Sequence, residues 1–124
     1  MKALYLNVKE CKPFEMIEFD GEFDTCRRLI DCDCIDVVQR VICGVSVTIV
    51  CDDNGALESD RRLALRVDGF GDIYGNLIIT GLPGSDGELT DVTWRMYFHF
   101  LINALFLDYR GHFFLDALRL GGVK

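Results

Sequence analysis

Two neighbouring carboxylates are the first side chains in this sequence that could carry chemistry. Asp52 and Asp53 stand directly before an Asn-Gly pair, and paired carboxylates can exchange protons or hold a divalent cation. With His99 as a base, they would suit a small metal-dependent nucleotide hydrolase. Asp, Asn and Gly are also the residues that tight turns favour. We therefore predict a turn at residues 52–55 and no catalytic residue, with the hydrolase as an alternative.

Six cysteines form a second group of reactive side chains. Cys32 and Cys34 are two residues apart and could present two sulfurs to zinc from one face of a strand. His99 and His112, which would have to complete such a site, lie far along the chain. Most of the cysteines fall in apolar segments, where a thiol packs as a small hydrophobic group. We predict reduced thiols, no metal and no cofactor.

Arginines form the third group. Arg61, Arg62 and Arg66, with Tyr74 further along, could surround a nucleotide-like anion, because a guanidinium has a planar fork that fits phosphate and carboxylate. We predict that these four residues bind a small anionic ligand, with solvated surface charge as the alternative. The glycine-rich segment at residues 81–87, GLPGSDG, lacks the lysine that follows in a phosphate-binding loop.

The elements that must position these groups are mainly strands. Residues 31–57 are rich in Val, Ile and Thr and predict a hairpin that ends in the acidic turn. Alternation in its second strand predicts a sheet with one buried face and one more polar face. Further strands are predicted at residues 2–9, 14–19 and 72–80, a short amphipathic helix at 22–30, and a less regular charged segment at 56–71.

An unusually apolar helix is predicted at residues 91–107, capped by Thr90, with a second helix at 113–120. Its polar residues share one narrow stripe at four-residue spacing: Asp91, Arg95, His99 and Asn103. The remaining apolar surface is wider than one face of a small sheet can cover. We therefore predict a homo-oligomer, most simply a two-fold dimer. The predicted interface residues are Trp94, Phe98, Leu101 and Leu105.

Composition limits the class of protein. With 124 residues, half of them apolar, the chain predicts a single domain of class α+β. We expect a mixed or antiparallel sheet of four or five strands, a core at residues 1–92 and an apolar helical extension at 93–124. The net charge of −7 argues against a nucleic-acid partner. Without a long apolar run or a signal peptide, we expect no membrane segment and a cytoplasmic location.

Three motifs carry a family resemblance: CDCIDVV, CDDNG and IYGNLIITG, in that order along the chain. In these motifs the sequence resembles a family of short bacterial, phage and plasmid proteins that is catalogued only as a domain of unknown function. The resemblance covers about residues 1–92 and implies a setting in mobile elements and their hosts. The basic segment at 59–66 and the apolar C-terminus from Trp94 depart from the family pattern.

From this resemblance we expect a non-catalytic binding protein of a phage or other mobile element, acting in the host-cell cytoplasm. A counter-defence role would follow, either by sequestering a small anionic signal or by occluding a host protein. Besides the nucleotide hydrolase, a structural or regulatory protein-interaction module is the other alternative.

Overall fold

The computed structural model describes residues 1–10, 12–57, 62–66, 72–107 and 113–116. In chain order, the elements are β1 (Lys2–Leu6), β2 (Glu15–Glu18), α1 (Phe23–Ile30), β3 (Ile35–Ile42), β4 (Val45–Asp52), β5 (Leu63–Arg66), β6 (Ile73–Tyr74), β7 (Leu77–Thr80), α2 (Trp94–Asn103), β8 (Leu105–Leu107) and β9 (Phe113–Asp116). Short 3-10 turns follow β1 at Val8–Glu10 and β4 at Gly55–Leu57. These elements form an α+β fold, as predicted.

A five-stranded antiparallel sheet with the order β2-β1-β7-β4-β3 forms the centre of the fold. Its side chains alternate between two separate apolar clusters, so that Val47 and Ile49 of β4 face one cluster and Val50 faces the other. Even Thr48 and Thr80 are buried. The predicted division into one buried and one polar face is therefore wrong, because both faces of the sheet are covered by other elements.

The β3–β4 hairpin forms as the sequence predicts. Its ladder runs from Ile35, opposite Asp52, to Ile42, opposite Val45. The two connecting residues, Cys43 and Gly44, have positive φ angles of 49° and 83°, the combination that makes a two-residue turn follow the twist of its strands.

Helix α1 covers one face of the sheet. Cys26 and Ile30 pack there against Ala3, Tyr5 and Ile78. The helix ends at Asp31, which has left-handed backbone angles (φ 62°, ψ 58°) and donates its N–H to Arg27 O. The amphipathic helix predicted at residues 22–30 is thereby confirmed.

The opposite face is covered by α2 and by a four-stranded sheet with the order β6-β5-β9-β8. Helix α2 and strands β5 and β9 contribute to the same apolar cluster through three fully buried side chains, Phe100, Leu65 and Leu115. Strand β5 pairs with β9 in parallel, and the other pairs in this sheet are antiparallel.

The prediction of two C-terminal helices, at residues 91–107 and 113–120, is largely wrong. Helix α2 ends at Asn103, and both Leu105–Leu107 and Phe113–Asp116 are strands. Apolar runs of this length suit either state locally, and the pairing of Leu115 with Leu65 and Leu105 selects the strand. The described part of the extension at 93–124 is therefore helical only as far as Asn103, and residues 117–120 of the predicted helix lie outside the described residues.

Two further boundaries differ from the prediction. The strand expected at residues 72–80 is two strands in different sheets, separated at Gly75, whose φ is 90°. The N-cap of α2 is Thr93, whose side chain accepts a hydrogen bond from Met96 N at 3.1 Å. The predicted cap, Thr90, instead donates its hydroxyl to Leu82 O at 2.7 Å.

Candidate functional site: the outer face of helix α2

Helix α2 presents large apolar side chains to solvent. Its inner side is anchored by Phe100, which is fully buried. On the outer side, four residues define what we name the α2 face, with exposed fractions of 49% for Trp94, 53% for Phe98, 36% for Leu101 and 77% for Ile102. Large apolar groups that are exposed side by side in this way are typical of contact surfaces.

The polar stripe of α2 is turned inward at its C-terminal half. His99 Nε2 donates to the backbone oxygen of Cys43 at 2.8 Å, which joins the helix to the β3–β4 turn. Asn103 Nδ2 donates to His99 Nδ1 at 3.2 Å and to His99 O at 3.0 Å. In the neutral imidazole, these contacts place the proton on Nε2. Because His99 and Asn103 take up part of the inner side, the large apolar residues of the α2 face remain on the outer side.

The aromatic rings at the start of α2 form a connected group. Tyr97 makes edge-to-face contacts with Trp94, Phe98 and the buried Phe14, each with ring centroids 5.2 Å apart. Such contacts contribute about 0.5–1.5 kcal/mol per pair beyond the area they bury. The two exposed rings are therefore held against the core, which lowers the entropy that a partner would remove on binding.

Three of the four predicted interface residues lie together. Trp94, Phe98 and Leu101 are spaced by four and then three residues, the spacing of a helix–helix seam. Leu105 does not join them, because it belongs to β8 and is partly buried against the core. Ile102 was missed, although its distance of four residues from Phe98 places both on one side of the helix.

The fold brings only some of the four predicted anion-binding residues close together. Arg61 lies outside the described residues. Arg62 and Tyr74 meet where β5 begins and β6 ends, since Gly75 N donates to Arg62 O at 2.9 Å. Arg66 lies at the other end of β5, roughly 13 Å along the strand for four residues. Anion binding at these residues stays a prediction.

Arg62 also has a structural contact. Its Nη1 donates to Val8 O at 3.2 Å and to Lys9 O at 2.9 Å. These carbonyls belong to the 3-10 turn after β1, so the guanidinium ties that turn to the second sheet.

The acidic residues form the predicted turn. Asp52 accepts a hydrogen bond from Asn54 N at 2.9 Å, and Asp53 N donates to Cys34 O at 3.1 Å. A polar cleft of about 370 Å³ adjoins this turn and is lined by Arg27, Asp31, Cys32, Asp33, Asp52 and Asn54. Within the described ranges, no group of three His, Cys, Asp or Glu side chains is arranged to hold a metal ion.

The five described cysteines are free thiols, and Cys11 lies outside the described residues. Burial, with a contribution from the nearby Asp52 carboxylate, raises the pKa of Cys32 to about 11. Burial and the Asp36 carboxylate raise the pKa of Cys51 to about 12. A thiol with a raised pKa is a poor nucleophile and a poor metal ligand at neutral pH.

Comparisons with known proteins identify the family. No curated protein and no solved structure matches the chain. Neither helix in the described part of the chain has the length and apolar character needed to cross a bilayer. A family match covers residues 1–101, which include the three motifs and most of α2. The chain therefore belongs to the family described as Domain of unknown function (DUF3846).

Proposed function

We propose that this chain is a non-catalytic binding protein that acts through protein–protein contact at the α2 face. The observation that supports this proposal most is the orientation of the side chains on α2. His99 and Asn103 face the protein, while the apolar Phe98 and Ile102 face solvent. Full burial of one such apolar side chain contributes roughly 1.5–3 kcal/mol. Withdrawing this face from water is therefore a substantial driving force for association.

We propose a second copy of the chain as the partner that binds the α2 face. The seam of Trp94, Phe98 and Leu101 is self-complementary when two helices cross about a two-fold axis. The chain has a net charge of −7, so two copies repel elsewhere. The only charged residue of α2 is Arg95, and no carboxylate lies on this helix to oppose self-contact.

The biological setting comes from the family resemblance. In a phage or other mobile element, a small dimeric protein of this kind would act in the host cytoplasm by occluding a host protein, with counter-defence as its role. The acidic surface suits a basic partner. Sequestration of a small anion has weaker support, because Arg62 already donates to Val8 O and Lys9 O.

The contacts of the candidate catalytic groups also favour binding over hydrolysis. The two ring nitrogens of His99 lie within hydrogen-bond distance of Cys43 O and Asn103 Nδ2. A carboxylate oxygen of Asp52 accepts the N–H of Asn54. A nucleotide hydrolase would need these groups to leave such contacts before they could act on a substrate.

The oligomeric state tests the proposal directly. Light scattering coupled to size-exclusion chromatography should give twice the 14.1 kDa chain mass at micromolar concentration. A stable species at the mass of one chain would contradict self-association through the α2 face.

A further inference from the structure

A groove lies on the opposite side of the five-stranded sheet from the α2 face, beside the start of helix α1. Its volume is about 480 Å³. Its lining residues are Met1, Asp20, Gly21, Glu22, Phe23, Val37, Gly87, Glu88 and Leu89, and we name it the Asp-Gly-Glu groove. It is separate from the α2 face because α1 and α2 pack on different apolar clusters.

Two copies of one tripeptide contribute residues to the rim of this groove. Asp20-Gly21-Glu22 and Asp86-Gly87-Glu88 fold alike, although they are far apart in the sequence. In each copy, the carboxylate of the Asp accepts the N–H of the Glu, at 2.9 Å in the first and 3.1 Å in the second. Each Gly has a positive φ, 79° and 82°, which an L side chain rarely adopts. Both turns thereby bring an exposed Glu to the rim.

The floor of the groove is apolar. Phe23 is 62% exposed and Val37 is 49% exposed, and both line the groove. Met1 and Leu89 pack against that cluster and complete the floor. The open space and the exposed ring together suit one or two large apolar side chains of a partner.

The side chains at the rim are mainly acidic. Glu22 and Glu88 are exposed, and hydrogen bonds from Glu22 N–H and the Thr25 hydroxyl lower the pKa of Asp20, which keeps it ionised. Arg28 is a nearby cation that also favours the ionised form of Asp20. Among the described residues that line the groove, none is Lys or Arg. The Met1 ammonium group donates to Phe19 O and pairs with Glu18.

From this combination, we propose that the Asp-Gly-Glu groove binds an extended segment of a partner protein in which large apolar side chains lie between Lys or Arg residues. The apolar floor takes the large side chains, and the carboxylates at the rim pair with the flanking cations. Charge complementarity of this kind adds specificity and speeds association. The inference rests on the proposed function only in that the chain acts by protein contact.

The partner segment contacts the groove and does not add a strand to the sheet. Strand β3 is at the sheet edge, but its own side chains already bond its backbone. Asp36 Oδ1 accepts Val37 N–H at 2.9 Å, and Arg40 Nη1 donates to Gln39 O at 2.8 Å. Such contacts protect an edge against further pairing.

Amide NMR titration with a synthetic probe tests the inference. The probe is an acetylated and amidated hexapeptide, Lys-Arg-Leu-Phe-Arg-Lys. Two comparison peptides carry Glu in place of every Lys and Arg, or Ala in place of Leu and Phe. We expect the probe to shift the amide signals of Glu22, Val37 and Gly87 and to bind at least about tenfold more tightly than either comparison peptide. Its affinity should fall as salt is added.

A double variant identifies the rim carboxylates. The double variant Glu22→Gln with Glu88→Gln should lower the affinity for the probe peptide by about tenfold or more. The amide signals of residues outside the groove should stay unchanged. Glu15→Gln with Asp53→Asn is the matched control, since it removes the same number of charges at two exposed residues outside the groove. Equal affinity for the three peptides, no effect of the double variant, or shifts confined to the α2 face would each overturn the inference. Light scattering tests the dimer separately, so the two proposals can fail independently.

Discussion

The imidazole Nε2 of His99 lies 2.8 Å from the backbone oxygen of Cys43. This hydrogen bond joins helix α2 to the turn of the β3–β4 hairpin, at a residue that has a positive φ of 49°. It orients the helix so that the C-terminal half of its polar stripe, His99 and Asn103, faces the protein. The exposure of the α2 face follows from this contact together with the burial of Phe100.

Loss of this contact should destabilise the fold. His99→Ala removes the bond to Cys43 O and leaves Asn103 without its ring partner, so we expect a loss of about 1–3 kcal/mol in the free energy of unfolding. Urea denaturation measures the change. Arg95→Ala, at an exposed position of the same helix, is the control and should stay within about 0.5 kcal/mol. Equal stability of the two variants would show that the His99 contact does not anchor the helix.

A charge on the α2 face should separate the proposed dimer without unfolding the chain. Phe98→Glu should give a folded species at the single-chain mass in light scattering, because the carboxylate cannot be buried in an apolar seam. Phe23→Glu is the matched control, since Phe23 is an exposed aromatic residue on the other side of the sheet. It should remain dimeric. A dimer that survives Phe98→Glu would place the interface elsewhere.

Leu101→Glu extends this test to a less exposed position. We expect a folded single chain here too, since 36% of Leu101 is exposed. Aggregation of this variant would instead mark Leu101 as a core residue. Phe100→Ala shows how a variant of a core residue behaves. We expect it to lower the free energy of unfolding by roughly 3–5 kcal/mol.

Arg62 should matter for stability even without a ligand. Arg62→Ala removes the hydrogen bonds to Val8 O and Lys9 O, and we expect a loss of about 1–3 kcal/mol. Thermal unfolding measures the effect, with Arg66→Ala, at the exposed far end of β5, as the comparison. An unchanged melting temperature for Arg62→Ala would indicate that its guanidinium is available to an anionic ligand. Nucleotides added to both variants then test the predicted anion site.

The Cys51 thiol should make stability fall at alkaline pH. Its pKa is raised from 9.0 to about 12 in the folded chain because burial disfavours the thiolate. The unfolded chain therefore releases this proton first, and stability that is fully present below pH 9 is lost as the pH rises toward 12. Cys51→Ala should show a shallower alkaline loss in urea denaturation than the parent chain. The same slope in both proteins would contradict this origin.

Much of the central sheet could be predicted from the sequence because its causes are local. Alternating β-branched residues around Cys43-Gly44 specify the hairpin, since a two-residue turn of positive φ sets the register of both strands. Helix α1 likewise follows from the spacing of Cys26 and Ile30 on one side. The acidic turn at Asp52 could be predicted because Asp, Asn and Gly favour turns.

Long-range contacts decided the rest. The apolar run at Phe113–Asp116 became a strand because β5 and β8 offered backbone partners on both sides, and no local pattern contains that information. The orientation of α2 depended on the carbonyl of Cys43, 56 residues away from His99. The Asp-Gly-Glu groove required two identical turns to meet on one side of the sheet. Each turn is local, but only tertiary contact places Glu22 and Glu88 at the rim of one groove.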